Sequence, residues 1–534
     1  MINQEIKKII KASIKDLQQK EKWDNFLMPE VLVECPREKI HGDYSASVAF
    51  LIAKIIKKNP FEAATLLKIE IEKQGSLIIQ KVEVVNGFIN FFVSESYLQN
   101  QVPEILKKKE KYGSLKIGQN KKVNIEFVSA NPTGPLTLGN GRGGFCGDAL
   151  ANVLTKAGYK VSREYYINDT GAQIKKLGHS VIGDAEAVYK GEYIDKLRKK
   201  LLGGQTPQYS AEKVGERAAK IILEKMIKPS VKKMGIKFDK WFSEKGLYKN
   251  KEVDESIDEL SKKGFTYKSE GAVWFKSKDL GDDKDRVLAR ADGIKTYFAS
   301  DIAYLKNKFK RGFKKLVIFL GADHYGYVPR LKAASQAFGF GKDSIDAIVM
   351  QLVRLFEKGK EVRMSKRTGI YITIDELIDE VGLDVARFFF LMISSNTHMN
   401  FNLDLAKEKS EKNPIFKVQY AYVRINSIIK KCQLPAKISK PNFSLLQEES
   451  ELNLIKQLVK LPEIIEDCAK DYQVQRLPQY AMELADSFHK FYETCRVILD
   501  DKKLTKARIA LVMAAKIVLK NTLNLMGIST PEKM

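Results

Sequence analysis

At 534 residues, with 44% hydrophobic and 29% charged side chains, the chain has room for roughly three or four domains and enough apolar residues to build their cores without disulfides. The 91 Lys and Arg against 66 Asp and Glu leave a net +25, which favours a polyanionic partner such as nucleic acid or an anionic membrane surface; a lysine-rich proteome would produce the same excess. Cys35, Cys146, Cys432, Cys468 and Cys495 are far apart with no C-x-x-C pair, which removes the case for a zinc knuckle or a disulfide framework and fits a reducing, cytoplasmic setting.

The N-terminus mixes Lys7, Lys8, Lys11 and Lys15 with apolar residues and has no signal-peptide core. No run is expected to approach the ~18 apolar residues of a membrane span. Ile2, Ile6, Ile9, Ile10, Ile14 and Leu17 recur at helical spacing, predicting an amphipathic helix over 2–17. A second helix is expected over 46–57, after the turn-forming "HGDYS". "KVEVVNGFINFFV" (81–93) alternates on both sides of an Asn-Gly pair and predicts a hairpin. Residues 1–113 therefore read as a small α+β domain, followed by a linker around Gly113 and Gly118.

Over 114–404 the pattern changes. "KVNIEFVSA" reads as a strand, residues 131–144 as a Gly/Pro-rich loop, residues 145–157 as a helix and "YKVSREYYIN" as a second strand. A β-loop-α-β unit of this size is half of a Rossmann-type nucleotide-binding sheet. A second unit starts at "KLVIFLG" (315–321), with the loop "ADHYG" and a helix carrying Leu331, Ala334 and Phe338. The charged stretch of about 175–290 reads as an insertion. From 405 to 534 the pattern is helical throughout, a separate all-α bundle. The expected architecture is multidomain α/β: a small N-terminal α+β domain, a parallel-sheet domain with an insertion, and a helical C-terminal domain.

Two loops carry the chemistry. In "NPTGPLTLGNGRGG" (131–144), glycines would admit a ligand to backbone N–H groups, and the following helix would aim its positive end there, so phosphate is the natural occupant. A tight strand-to-helix turn is the plainer reading. The loop matches neither G-x-G-x-x-G nor a Walker motif. "KEVRMSKRTG" (360–369) is a short basic loop in which Lys366, beside Arg363 and Arg367, could clamp a polyphosphate; alone it reads as a surface charge cluster.

Together, "NPTGPLTLGN" and "RMSKR" resemble the HIGH and KMSKS loops of class I aminoacyl-tRNA synthetases. "EFVSANPTGPL" (126–136), "GRGGFCGDALANVLTKAGYKVSREYYINDTGAQI" (141–174), "TYFASDIAY" (296–304), "GADHYGYVPRLKAA" (321–334) and the ending "LMGISTPEKM" are similar to arginyl-tRNA synthetases over the whole chain. The resemblance implies arginine activation with ATP and Mg2+, then transfer of the arginyl group to the 3′ end of its tRNA, by a monomer with no structural metal and no membrane partner. It implies Glu126 and Asp301 around the guanidinium of arginine, Tyr297 as a wall along its side chain, and Ser129 and Asn131 at its α-amino end. It places Pro132, Gly134, Gly139, Gly141, Asp323, His324 and Met364 at ATP, and Thr137, Asn140, Ser365 and Lys366 in catalysis. In the C-terminal bundle Phe416, Tyr420 and Tyr422 alternate with Lys417, Arg424 and Lys430; stacking of unpaired bases by Tyr420 and Tyr422 with Arg424 on phosphate is the implied anticodon contact, and core packing at helical spacing is the alternative.

The chain departs from the family in one place: Thr137 and Asn140 stand where two histidines are usual. Both are neutral donors, and the tryptophan enzymes of the class commonly read TIGN, so activity is expected to survive. Three other readings compete. A tryptophan enzyme has no use for the acids Glu126 and Asp301; a catalytically silent relative would have little reason to keep Lys366; and a generic nucleotide-dependent RNA-binding protein lacks its Walker lysine.

Overall fold

The computed structural model describes residues 1–36, 38–203, 209–362, 372–432 and 441–534, except for the side chains of 323–325. The N-terminal helix Ile2–Gln19 buries Ile2, Ile6, Ile10, Ile14 and Leu17. It packs with the helices Val48–Ile56 and Pro60–Gln74 on an antiparallel sheet of order β1-β2-β4-β3: β1 Val33–Glu34, β2 Tyr44–Ala46, β3 Ile79–Val85 and β4 Phe88–Val93. The hairpin forms where the Asn-Gly pair predicts it. Val85 faces Phe88, and Asn86 and Gly87 both take positive φ, 51° and 86°, as a two-residue primed turn requires.

The expected linker is a packed connection. Tyr112 is buried, Leu115 N–H donates to Lys156 O at 2.9 Å, and Gly118 N–H donates to Ala157 O at 3.0 Å. These bonds fasten it to the end of the helix Leu138–Lys156.

The central sheet is parallel, in the order β12-β11-β5-β6-β7, built from β5 Lys122–Glu126, β6 Lys160–Ile167, β7 Lys240–Ser243, β11 Lys315–Gly321 and β12 Ile345–Met350. The chain runs outward from β5 through β6 to β7, returns to β11 on the other side of β5, and continues to β12. The order reverses between β5 and β11, which opens a crevice at their C-terminal ends where such sheets bind ligands. The presumed insertion thus contains a strand of this sheet. β7 is only four residues long, and its charged flanks hide it. The remainder of that segment forms helices and a three-stranded antiparallel sheet, β10-β9-β8, from β8 Thr266–Ser269, β9 Ala272–Phe275 and β10 Arg286–Ala289. A further three-stranded sheet joins β13 Val353–Glu357, β14 Lys360–Val362 and β15 Met399–Asn402.

The C-terminal helices Pro414–Lys431, Glu449–Val459, Leu461–Asp471, Arg476–Thr494 and Lys502–Met526 form a bundle. Among the described residues, the last of them is the one helix long and apolar enough to cross a membrane, so the expectation that no run approaches such a span is corrected; 72% of its most apolar window is buried inside the fold. Arg387 fastens the end of this helix to the helix Leu138–Lys156 and to the chain at Met234. Its guanidinium donates to Met526 O at 2.8 Å, to Asp148 Oδ2 at 3.0 Å and to Met234 O at 2.8 Å.

Candidate functional site

The first signature segment is helical earlier than its glycines suggest. The helix runs Leu138–Lys156, so Gly139, Gly141, Gly143 and Gly144 are helical residues and the loop ends at Thr137. Several of these glycines serve packing. A Cβ would lie 2.4 Å from Ile374 Cδ1 at Gly141, 2.5 Å from Met234 Cε at Gly144 and 2.4 Å from the Phe127 ring at Gly147. Gly139 and Gly143 have open space beside them, with nothing nearer than Thr137 Oγ1 at 3.8 Å for Gly139.

Thr137 and Asn140 close the helix start on themselves. The Thr137 backbone N–H donates to Asn140 Oδ1 at 3.0 Å and the Thr137 hydroxyl donates to the same oxygen at 2.9 Å. The Asn140 amide nitrogen remains as a donor at the positive end of the helix. Thr373 forms an isolated bridge with Thr137, and Ile374 N–H donates to Leu136 O at 3.1 Å. The chain leaving the second signature segment is therefore bonded to the first. Met364, Ser365 and Lys366, with Arg363 and Arg367, lie outside the described residues.

Beyond β5 the backbone turns sharply. Val128 and Ser129 both take positive φ, 67° and 35°, an unfavourable conformation for a β-branched residue that places strain beside the crevice. The turn brings Ser129 back onto β5 and β6: its hydroxyl donates to Glu126 Oε1 at 3.2 Å and accepts from Tyr166 N–H at 3.0 Å. Asn131 accepts from Asn168 Nδ2 at 2.7 Å. Pro132 is buried, and Tyr193 closes over the next residues, its hydroxyl donating to Thr133 O at 2.9 Å and lying 3.2 Å from a Cβ on Gly134. Asp323 and His324 fall in the short 3-10 segment Ala322–Tyr327 at the end of β11, on the crevice side of the sheet; their side chains are outside the description.

Tyr297 and Asp301 lie one turn apart on the helix Tyr297–Lys310. Tyr297 is half exposed and its hydroxyl accepts from Ala172 N–H at 2.8 Å. Asp301 accepts from the Tyr327 hydroxyl; burial pushes its carboxyl up to about 6, Glu126 adds to the rise, and Tyr327 and Lys308 oppose it. The sequence reading missed a third acid. Glu244, at the start of the helix Glu244–Lys249 after β7, is 3% exposed and accepts from the Ser300 hydroxyl at 2.7 Å, while its Oε2 has no hydrogen-bond partner among the described residues. Burial, then Asp301 and Asp169, raises Glu244 to about 7. The buried Tyr166 hydroxyl feels all three of Glu244, Asp301 and Glu126. A buried acid with an open oxygen beside two further acids is suited to a planar cation with several N–H donors.

In the bundle, Tyr422 is buried at 4% exposure, so a stacking role for it is corrected: it points into the core, the outcome that helical spacing allowed from the start. Tyr420 and Arg424 are half-buried. The Arg424 guanidinium sits 4.6 Å from the Tyr420 ring centre and 4.9 Å from that of Tyr492, and Tyr492 was not anticipated.

Comparison with known proteins agrees with this geometry. The model described as "tRNA synthetases class I (R), catalytic domain" matches residues 101–428, "Arginyl tRNA synthetase N terminal domain" matches 4–93 and "DALR anticodon binding domain" matches 418–534. An arginine–tRNA ligase of Carboxydothermus hydrogenoformans is 46% identical over 527 residues, covering 94% of both chains. The chain belongs to the arginyl-tRNA synthetase family. The arginine–tRNA ligase of Acetivibrio thermocellus is 41% identical over 558 residues, covering 100% of this chain and 99% of the relative. The arginyl-tRNA synthetase structure from Thermus thermophilus superposes with a TM-score of 0.81 at 20% identity over 100% of both chains, which extends the likeness of fold to the whole molecule.

Proposed function

We propose that the chain is an arginine–tRNA ligase and that Thr137 and Asn140 do the work of the usual histidine pair. The observation that carries the arginine assignment is the acid cluster at the switch point of the sheet. Glu126, Asp301 and Glu244 all act on the buried Tyr166 hydroxyl, and Glu244 Oε2 is buried with no hydrogen-bond partner among the described residues. Arginine brings two cations, the guanidinium and the α-ammonium. The guanidinium is assigned to Glu126 and Asp301, now joined by Glu244, with Tyr297 along its stem, and the ammonium to Ser129 and Asn131. A tryptophan side chain would leave these acids buried and unsatisfied.

ATP, taken as its magnesium complex, would lie between the start of the signature helix and the turn at 322–327, against Pro132, Gly134, Gly139 and Gly141, with Asp323, His324 and Met364 at the nucleoside. A carboxylate oxygen of arginine attacks the α-phosphorus and pyrophosphate leaves; a ribose hydroxyl of the tRNA then attacks the arginyl carbonyl and AMP leaves. No covalent enzyme intermediate is required, so catalysis is placement plus stabilisation of phosphate charge. Asn140 and the helix N-terminus supply neutral donors at the α-phosphate, and Ser365 and Lys366 are assigned to the departing pyrophosphate. Tyr420 and Arg424 are assigned to the anticodon loop of the tRNA. We take residues 1–113, 114–404 and 405–534 as the tRNA-contacting, catalytic and anticodon-binding domains of a cytoplasmic monomer.

The test is pyrophosphate exchange into ATP with arginine, tryptophan or no amino acid, each with and without homologous tRNA. Exchange with arginine alone among the amino acids is expected. Its absence with arginine plus tRNA sinks the assignment.

A further inference from the structure

One buried cation in the crevice has no place in that scheme. Lys308 lies on the same helix as Tyr297 and Asp301, seven residues beyond the acid, and its side chain is 1% exposed. Its ammonium is bonded to Glu126 Oε2 and lies 4.2 Å from the centre of the Tyr304 ring. Its neighbour Glu164 is already satisfied. Glu164 accepts both arms of Arg311 at 2.6 and 2.7 Å, the Tyr304 hydroxyl at 2.7 Å and Asn124 Nδ2 at 3.0 Å. Arg311 pairs with Glu164, and Lys308, whose charge is felt at Glu164 and at Asp301, makes its direct ion pair with Glu126.

The charges then count in a useful way. Three acids and one lysine leave two net negative charges, matching the two positive charges that arginine brings. Without Lys308 three acids would crowd one low-dielectric space, and like charges there suppress ionisation. The lysine also occupies one named oxygen of Glu126, so the other, held by Ser129, is the one left toward the substrate.

We propose that Lys308 is a positioning residue for arginine: by holding Glu126 Oε2 and balancing one of three converging carboxylates, it sets the orientation and charge of the pocket that receives the substrate's cations. The inference rests on the arginine assignment above. Lys308 acts through Glu126 and touches no reacting atom.

The groups facing this pair are Asp301, Tyr304 and Arg311 on the same helix, Asn124 on β5, Glu164 and Tyr166 on β6, Glu244 and Tyr248 from the helix after β7, Asp169, and Tyr327. Lys308 is among the groups that lower Asp301. Its removal therefore raises Asp301 further, and the acidic limb of arginine binding moves to higher pH.

The experiment is pyrophosphate exchange, with tRNA, between pH 6 and 8.5 on the intact protein and on Lys308→Met, Lys308→Arg, Glu126→Gln and the Lys308→Met/Glu126→Gln double variant. Lys308→Met is expected to raise KM for arginine ~10²-fold, the scale for stranding one member of a buried charge pair, with KM for ATP changed less than about twofold. Its KM–pH profile should break at higher pH than that of the intact protein, and Lys308→Arg should restore both. In the Glu126→Gln background, Lys308→Met should add little, and that double variant removes the stranded charge should the single one fold poorly. Equal rises in both KM values, an unmoved pH profile or additive effects would each overturn the proposal while leaving the arginine assignment intact. An intact protein that does not exchange with arginine would instead defeat the assignment, and the role of Lys308 with it.

Discussion

Thr137 and Asn140 are bonded to each other at the start of the signature helix, with both the backbone N–H and the hydroxyl of Thr137 donating to Asn140 Oδ1. The pair is therefore a helix-capping device as well as a source of donors, and two substitutions separate these roles. Asn140→Asp keeps an oxygen for Thr137 and suits the helix dipole, but it has no N–H for phosphate. Asn140→Ala loses both. Each should slow adenylate formation ~10²–10³-fold, the scale for one oxyanion donor. Only the alanine variant should also lose stability, by about 1 kcal/mol, the usual value of a cap. Full exchange activity in Asn140→Asp would remove the amide from the mechanism.

The buried acids give the free protein a pH dependence of definite sign. Asp301 and Glu244 are raised to about 6 and about 7, so the folded state favours their protonated forms. Their stabilising contribution is complete below the ordinary carboxylate range and is lost as pH rises through those values, by on the order of 2–3 kcal/mol each. Arginine needs the ionised forms. Its affinity should tighten between pH 5.5 and 7.5, with proton release detected by titration calorimetry in buffers of different ionisation enthalpy. Binding with no proton release across this range would show that the two acids are not the guanidinium site.

The same strain predicts a trade-off at Glu244. Glu244→Gln removes a buried charge that has one unpartnered oxygen, so at pH 8 the free variant should melt above the parent. Its arginine affinity should fall ~10²-fold, the loss expected when one side of a charge-assisted contact is removed. Thermal melts with and without arginine read both effects. A lower Tm together with unchanged affinity would make Glu244 a structural residue.

Parts of this were legible in the sequence for identifiable reasons. Asn86-Gly87 marks a hairpin because both residues must take positive φ, and the strand–helix–strand unit from 122 to 167 follows from local periodicity. The glycines of 139–144 misled, because glycine signals a loop when only local propensity is considered, while here they are helical and packing demands glycine at 141 and 144. Glu244 was hidden because β7 is four residues long inside a charged segment. Lys308 is one of several lysines in "LKNKFKRGFKK", and nothing local separates the one that ends up buried. Tyr422 and Tyr420 are two residues apart on a helix, so one of them had to turn toward the core.

That last contrast can be tested directly. Tyr422→Ala should cost about 3–5 kcal/mol of stability, as for other large core aromatics. At a temperature where it is folded, its tRNA binding should keep the parent's salt dependence. Arg424→Ala should cost only about 1–2 kcal/mol of stability, from its lost contacts with the Tyr420 and Tyr492 rings, weaken tRNA binding and reduce the salt slope by about 1, as loss of one phosphate contact does. An unchanged slope would place Arg424 outside the RNA interface.

Gly141 offers a test of the packing reading of the signature helix. Its Cα faces Ile374, the first residue of the helix that follows the second signature segment, and a methyl group there would fall 2.4 Å from Cδ1 and 2.9 Å from Cγ1, but 3.5 Å from Cβ. Gly141→Ala should therefore destabilise by about 1–3 kcal/mol through overpacking. Ile374→Ala alone should cost about 2–5 kcal/mol by leaving a cavity. The double variant places the new methyl group in that cavity, so its cost should be well below the sum, with a coupling of about 1 kcal/mol or more in a double-mutant cycle. Additive costs would mean that Gly141 is not held at glycine by Ile374, and would return it to the role of admitting a phosphate to the backbone.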